Sequence, residues 1–128
     1  MTLIIINYSE RQERAEAPAF MKRIGDCEVY EGMTAKFTAC ATGFPEPDFE
    51  FYRNGTLLFP SERIKIAKEA NGLIRLTIKH VHEGDVGRYK LRVYNPHGDA
   101  TCEADLCYDC KYILSYFLLL IFFFILCY

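Results

Sequence analysis

Asp85-Val86-Gly87-Arg88-Tyr89 joins two alternating runs, Leu73 to Lys79 and Arg88 to Tyr94, and the chain is best read outward from it. In the first run Ile74, Leu76 and Ile78 fall on one side; in the second Tyr89, Leu91 and Val93 do, and a period of two marks half-buried strands. Downstream, Asn95-Pro96-His97-Gly98 fits a type I turn, with Pro where its fixed φ helps and Gly at the fourth position. It returns the chain as a hairpin into Asp99 to Cys107. Upstream, Asn54-Gly55 stands between two apolar runs, and the paired positive φ angles of a type I′ hairpin turn select that dipeptide and account for Asn54.

The same reading gives further strands at Ala19 to Ile24, Asp26 to Tyr30, Thr34 to Thr42, Asp48 to Arg53, Thr56 to Phe59 and Ile64 to Lys68. Ala35, Phe37, Ala39 and Ala41 face the core, with Lys36, Thr38, Cys40 and Thr42 opposite them, and Phe49 and Phe51 also point inward. Pro45 and Pro47 cannot sit inside a central strand, so they mark a crossing between sheets. Nine short strands in about ninety residues predict an all-β, Greek-key β-sandwich.

Composition narrows the function. The 128 residues carry 15 Lys and Arg against 17 Asp and Glu, a net charge of -2, which offers no basic field for nucleic acid. One ordinary domain accounts for most of that length. The opening run Met1 to Ile6 is too short and lacks the flanks of a secretory signal, which predicts a cytosolic domain. Residues 1–17 read as a solvated linker, with a possible capping box in Ser9 and Gln12 that Pro18 ends. Two sequons, at Asn7 and Asn54, would matter only in a secreted chain.

The Asp85 to Tyr89 run, with Leu76-Thr77-Ile78 before it and Val93 to Gly98 after it, resembles the E-to-G region of I-set immunoglobulin domains. The resemblance covers residues 18–109. It is nearest to the intracellular modules of giant muscle proteins such as titin, twitchin, obscurin and the stretchin and myosin light chain kinase type. It implies that Gly87 permits a tight corner, that Tyr89 bonds backbone upstream, and that Arg63 pairs with Asp85. It also implies a non-catalytic structural or protein-interaction module of a sarcomeric cytoskeletal protein, a piece of a longer polypeptide in the cytoplasm. Its partners would be filament components or neighbouring immunoglobulin and fibronectin-type modules, without cofactor or nucleic acid.

Two departures from the family pattern are informative. Its inter-sheet disulfide would fall at Ala39 and Leu91, and its buried Trp at Phe51, which accounts for a fold of this type with no Trp. An Ala facing a Leu roughly conserves the volume of two half-cystines. Losing the bridge typically forfeits about 2–5 kcal/mol, a smaller concern where thiols stay reduced.

The remaining candidates for chemistry are sparse. Cys27 and Cys102 fall on strands that neighbour each other in this fold, so a bond between them is conceivable, but buried Cys usually acts as a small hydrophobe. Cys107 and Cys110 form a lone CxxC without a second ligand pair, and His80 with His82 is a single pair that reads as loop. No catalytic residue, metal site or cofactor site is expected.

Residues 110–128 stand apart. From Tyr112 to Tyr128 no residue is charged, whereas every charge lies at or before Lys111. A helix there would extend roughly 26 Å against a hydrocarbon core of about 30 Å. Three expectations remain open: a C-terminal transmembrane anchor, which would make the chain a single-pass membrane protein with one immunoglobulin domain for adhesion or recognition; the tail of a GPI signal; or a non-native extension such as a translated intron.

Overall fold

The alternating runs form strands in a computed structural model of the chain, which describes residues 15–108 and 110–127. In order these are β1 (Glu16–Lys22), β2 (Cys27–Val29), β3 (Ala35–Phe44), β4 (Asp48–Arg53), β5 (Thr56–Leu57), β6 (Ile64–Lys68), β7 (Leu73–Ile78), β8 (Gly87–Asn95) and β9 (Gly98–Tyr108), followed by helix α1 (Cys110–Leu126). One sheet runs β1-β3-β7-β6 and the other β2-β9-β8-β4-β5. Neighbours are antiparallel except β2 and β9. The chain changes sheets between β3 and β4, where Pro45 and Pro47 lie, and again between β7 and β8 through the Asp85 to Gly87 corner.

The inward phases meet between the sheets. Ala35, Phe37 and Ala39 of β3, Ile74, Leu76 and Ile78 of β7, Phe51 of β4 and Tyr89, Leu91 and Val93 of β8 are all buried. The Phe37 and Tyr89 rings stack across the sandwich at 5.0 Å. Ala39 and Leu91 are both fully buried, so the small and the medium side chain fill their places without exposing either sheet. Phe49 is only half-buried; it packs edge-on to Phe51, with ring centres 6.1 Å apart, at the margin of the core.

Strand boundaries differ from the periodic reading where an edge is involved. β1 begins at Glu16, inside the expected linker, and contains Pro18; it tolerates that residue because it is an edge strand whose register against β3 slips between Glu16 and Ala19. β5 is two residues long; Leu58 beyond it buries its side chain and still donates its N–H to the Phe51 carbonyl of β4 at 2.8 Å. The capping box at Ser9 and Gln12, and the sequon at Asn7, lie outside the described residues.

The transmembrane expectation for residues 112–128 requires correction. Helix α1 exists, and Leu118 to Leu126 expose their side chains. Among the described residues, however, no helix is long and apolar enough to cross a membrane. At 17 residues α1 is about one turn short of a typical span.

Leu76 lies at the centre of the packed layer with none of its surface exposed. Truncation to Ala should therefore cost about 3 kcal/mol or more in urea unfolding; a loss under about 1 kcal/mol would contradict this placement.

Candidate functional site

A partly buried cluster of polar side chains lies at the turn between β7 and β8. A buried carboxylate must be paired, and Asp85, fully buried, has several partners. Arg63, just ahead of β6, donates to both its oxygens, at 2.9 Å and 3.1 Å. Arg53, the last residue of β4, approaches at 3.4 Å. The backbone N–H of His82 donates to the same carboxylate at 3.0 Å, capping the one-turn 3-10 helix Glu83–Asp85. Arg63 continues to the carbonyls of Lys79 and His80, each at 3.2 Å. Burial works to raise the pKa of Asp85, but the hydrogen bonds from Arg63 and His82 and the nearby positive charge outweigh it, and the pKa lies below the ordinary value.

Tyr89 completes the corner. Its hydroxyl donates to the backbone carbonyl of Asp85 at 2.6 Å, and burial pushes its phenol pKa upward. Between them Gly87 has φ +154°, and a Cβ there would lie 2.5 Å from the Asn54 side-chain amide. That amide is itself engaged: Asn54 Oδ1 accepts from the Arg88 N–H at 3.0 Å, while the Asn54 N–H donates to the Arg88 carbonyl at 2.9 Å. Asn54 and Gly55 have φ 49° and 81°, as the hairpin turn demands. Turn geometry is thus only half of what Asn54 does, because it also braces the corner.

The structure brings Arg63, Asp85, Gly87 and Tyr89 into one cluster and puts Phe51 and Leu76 in the core beneath them. It does not bring Cys27 and Cys102 together. The parallel register sets Cys27 opposite Leu106, four positions along β9 from Cys102 and so about 13 Å away, and both are free thiols. Burial pushes the Cys102 pKa up. Cys107 is exposed, and the side chain of Cys110 lies outside the described residues. His80 and His82 occupy the loop at the corner, where His82 Nδ1 accepts from the Gly84 N–H. Among the described residues no group of His, Cys, Asp or Glu could hold a metal ion.

Arg53 and the bracing role of Asn54 were not singled out from sequence, and His82, read as a loop residue, was given no bond to Asp85. Arg53-Asn54-Gly55 closes one hairpin, so its position beside the corner depends on the pairing of Arg53 with Tyr89 across β4 and β8, which local pattern does not reveal.

A second polar network covers the outer face of the five-stranded sheet. Arg88 bonds Glu103 and Asp105, and Arg92 bonds Asp99 while lying 4.5 Å over the Tyr94 ring. Lys90 sits 4.8 Å over Tyr52, whose hydroxyl is held by Glu50, a contact that raises the Tyr52 pKa. At one pole, a groove of about 300 Å³ between Glu16, Gly43, Pro47 and Gly72 contains Lys68, already bonded to the Pro47 carbonyl and Glu46.

The family model described as immunoglobulin I-set domain matches residues 18–107. The chain belongs to the immunoglobulin I-set family. Smooth-muscle myosin light chain kinase from Gallus gallus is 38% identical over 84 residues, covering 66% of the chain and 4% of the kinase. Muscle M-line assembly protein unc-89 from Caenorhabditis elegans is 33% identical over 91 residues, 71% of the chain and 1% of that protein. Among solved structures, the titin domains Z1Z2 in complex with telethonin match with TM-score 0.72 and 34% identity, over 75% of the chain and 49% of theirs. The I-set domain is therefore related to modules of muscle proteins, and it spans a small part of the two curated relatives.

Two measurements follow from the corner. Because the folded pKa of Asp85 is lowered, its contribution is complete above the ordinary carboxylate value of about 4 and is lost as pH falls through the folded value. The stability gap between wild type and Asp85→Asn should hold steady from neutrality to about pH 5 and close on further acidification; a gap that widens toward acid would contradict this sign. Tyr89→Phe should cost about 1–2 kcal/mol by leaving the Asp85 carbonyl without its partner, and unchanged unfolding in urea would show that the bond contributes nothing.

Proposed function

We propose that this chain is a non-catalytic structural and protein-interaction module of a sarcomeric cytoskeletal protein, serving as a spacer or docking surface. The observation that carries the reading is the likeness to muscle proteins over the domain itself, 38% identity to the kinase across 84 residues. The chemistry of the domain agrees with it. Asp85 and His82, whose types suit acid-base work, are engaged in holding the corner: Arg53 and Arg63 bond the Asp85 carboxylate, and the His82 imidazole accepts from the Gly84 N–H. Partners would then meet exposed strands and loops, above all the outer face bearing Tyr52, Arg92 and Tyr94, since Tyr and Arg are the side chains that most often carry interface energy.

In this reading the working domain is the one expected over residues 18–109, extended to Glu16 by β1; the residues before it serve as a linker, and residues 110–128 stand outside it. A related titin structure is a complex with telethonin, which supports protein rather than small-molecule recognition for modules of this kind. The location that follows is the cytoplasm, within the sarcomere.

Expression of the full chain with an N-terminal tag in muscle cells, followed by fractionation, tests the proposal. Co-fractionation with myofibrils is expected. Retention on membranes through a high-salt wash would contradict it.

A further inference from the structure

The chain contains two Asn-Gly dipeptides, Asn54-Gly55 and Asn71-Gly72, and in both the Asn has positive φ. Their side chains differ in one respect. Asn54 Oδ1 accepts from the Arg88 N–H at 3.0 Å, against the side of Gly87. Asn71 is exposed, and among the described residues its side-chain amide makes no hydrogen bond; only its backbone carbonyl is engaged, by Cys40 Sγ at 3.3 Å.

An Asn followed by Gly is the pair most open to internal attack on the side chain, because Gly places no Cβ in the path and leaves the backbone the widest range of conformations. We propose that Asn71 is a site of spontaneous deamidation in the folded domain, and that the corner protects Asn54 from the same reaction. The backbone nitrogen of Gly72 attacks Asn71 Cγ. A C–N bond forms, the Cγ–Nδ2 bond breaks, and ammonia leaves with the proton given up by the Gly72 amide. Water then opens the cyclic imide at either carbonyl, yielding Asp or isoaspartate at position 71. At Asn54 the same rotation of the side chain must first break the bond to Arg88.

The product would alter the sandwich at a sensitive place. A Cβ on Gly72 would lie 2.1 Å from the Ala41 carbonyl, so β3 passes close against this turn. Isoaspartate adds a methylene to the backbone immediately before that approach, where Cys40 and Leu73 form the last pair of the β3–β7 ladder. The reaction also sets a carboxylate near Glu69, whose charge is already paired with Arg75.

The experiment is incubation of the full chain at mildly alkaline pH, native and in concentrated urea, with peptide mapping by mass spectrometry over time. In the native protein Asn71 should convert at least about fivefold faster than Asn54, the factor one ordinary hydrogen bond supplies, and in urea the two rates should converge. Equal native rates, faster conversion at Asn54, or a native preference that survives in urea would each overturn the proposal. Asn71→Gln, whose longer side chain closes the ring far more slowly, should abolish the fast native phase; a fast phase that persists would also overturn it.

Discussion

A carboxylate removed from water must be paired or lose its charge, and Asp85 meets that requirement with groups from separate parts of the chain. Arg63 leads into β6 of one sheet, Arg53 ends β4 of the other, and Asp85 itself lies on the connection between β7 and β8. One buried side chain therefore ties both sheets and the strand that passes between them. Tyr89 adds a second tie: its hydroxyl holds the Asp85 backbone while its ring stacks on Phe37 from the facing sheet. Gly87 is needed because Asn54 presses against the corner from the neighbouring hairpin.

This arrangement bears on a core that has no inter-sheet disulfide at the positions the family uses. Ala39 and Leu91 fill that region, and Phe51, paired with Leu91 in register, supplies the aromatic bulk. What remains to hold the sheets in register is apolar packing and the Asp85 cluster. The packing is non-directional, whereas the cluster fixes geometry, since the fork of Arg63 fits two carboxylate oxygens in only one orientation. Apolar burial thus supplies the driving force, and the corner specifies which strands lie opposite each other.

The sandwich was legible in the sequence because each strand carries its alternation locally: Ala35 to Ala41, Ile74 to Ile78 and Tyr89 to Val93 are buried on the phase their pattern indicates. Turn chemistry at Asn54-Gly55 and Asn95 to Gly98 was equally local. What could not be read locally was contact across long separations. The bond from Asn54 to Arg88 and the approach of Arg53 to Asp85 each span more than thirty residues and depend on strand pairing. Edge effects were missed for a related reason: whether Pro18 precedes the first strand or sits within it depends on whether a further strand must pair beyond it. The uncharged tail was plain in composition, and its length as a helix, Cys110–Leu126, keeps the shortfall against a bilayer span that the sequence already carried.

The central claim is that Arg63 and Asp85 act as one unit in holding the sandwich. A double-mutant cycle on urea unfolding, with Arg63→Ala, Asp85→Asn and the two combined, measures it directly. The account predicts a coupling energy of about 1.5–3 kcal/mol at neutral pH, the range for a hydrogen bond to a charged group. Additive losses, with coupling under about 0.5 kcal/mol, would contradict it.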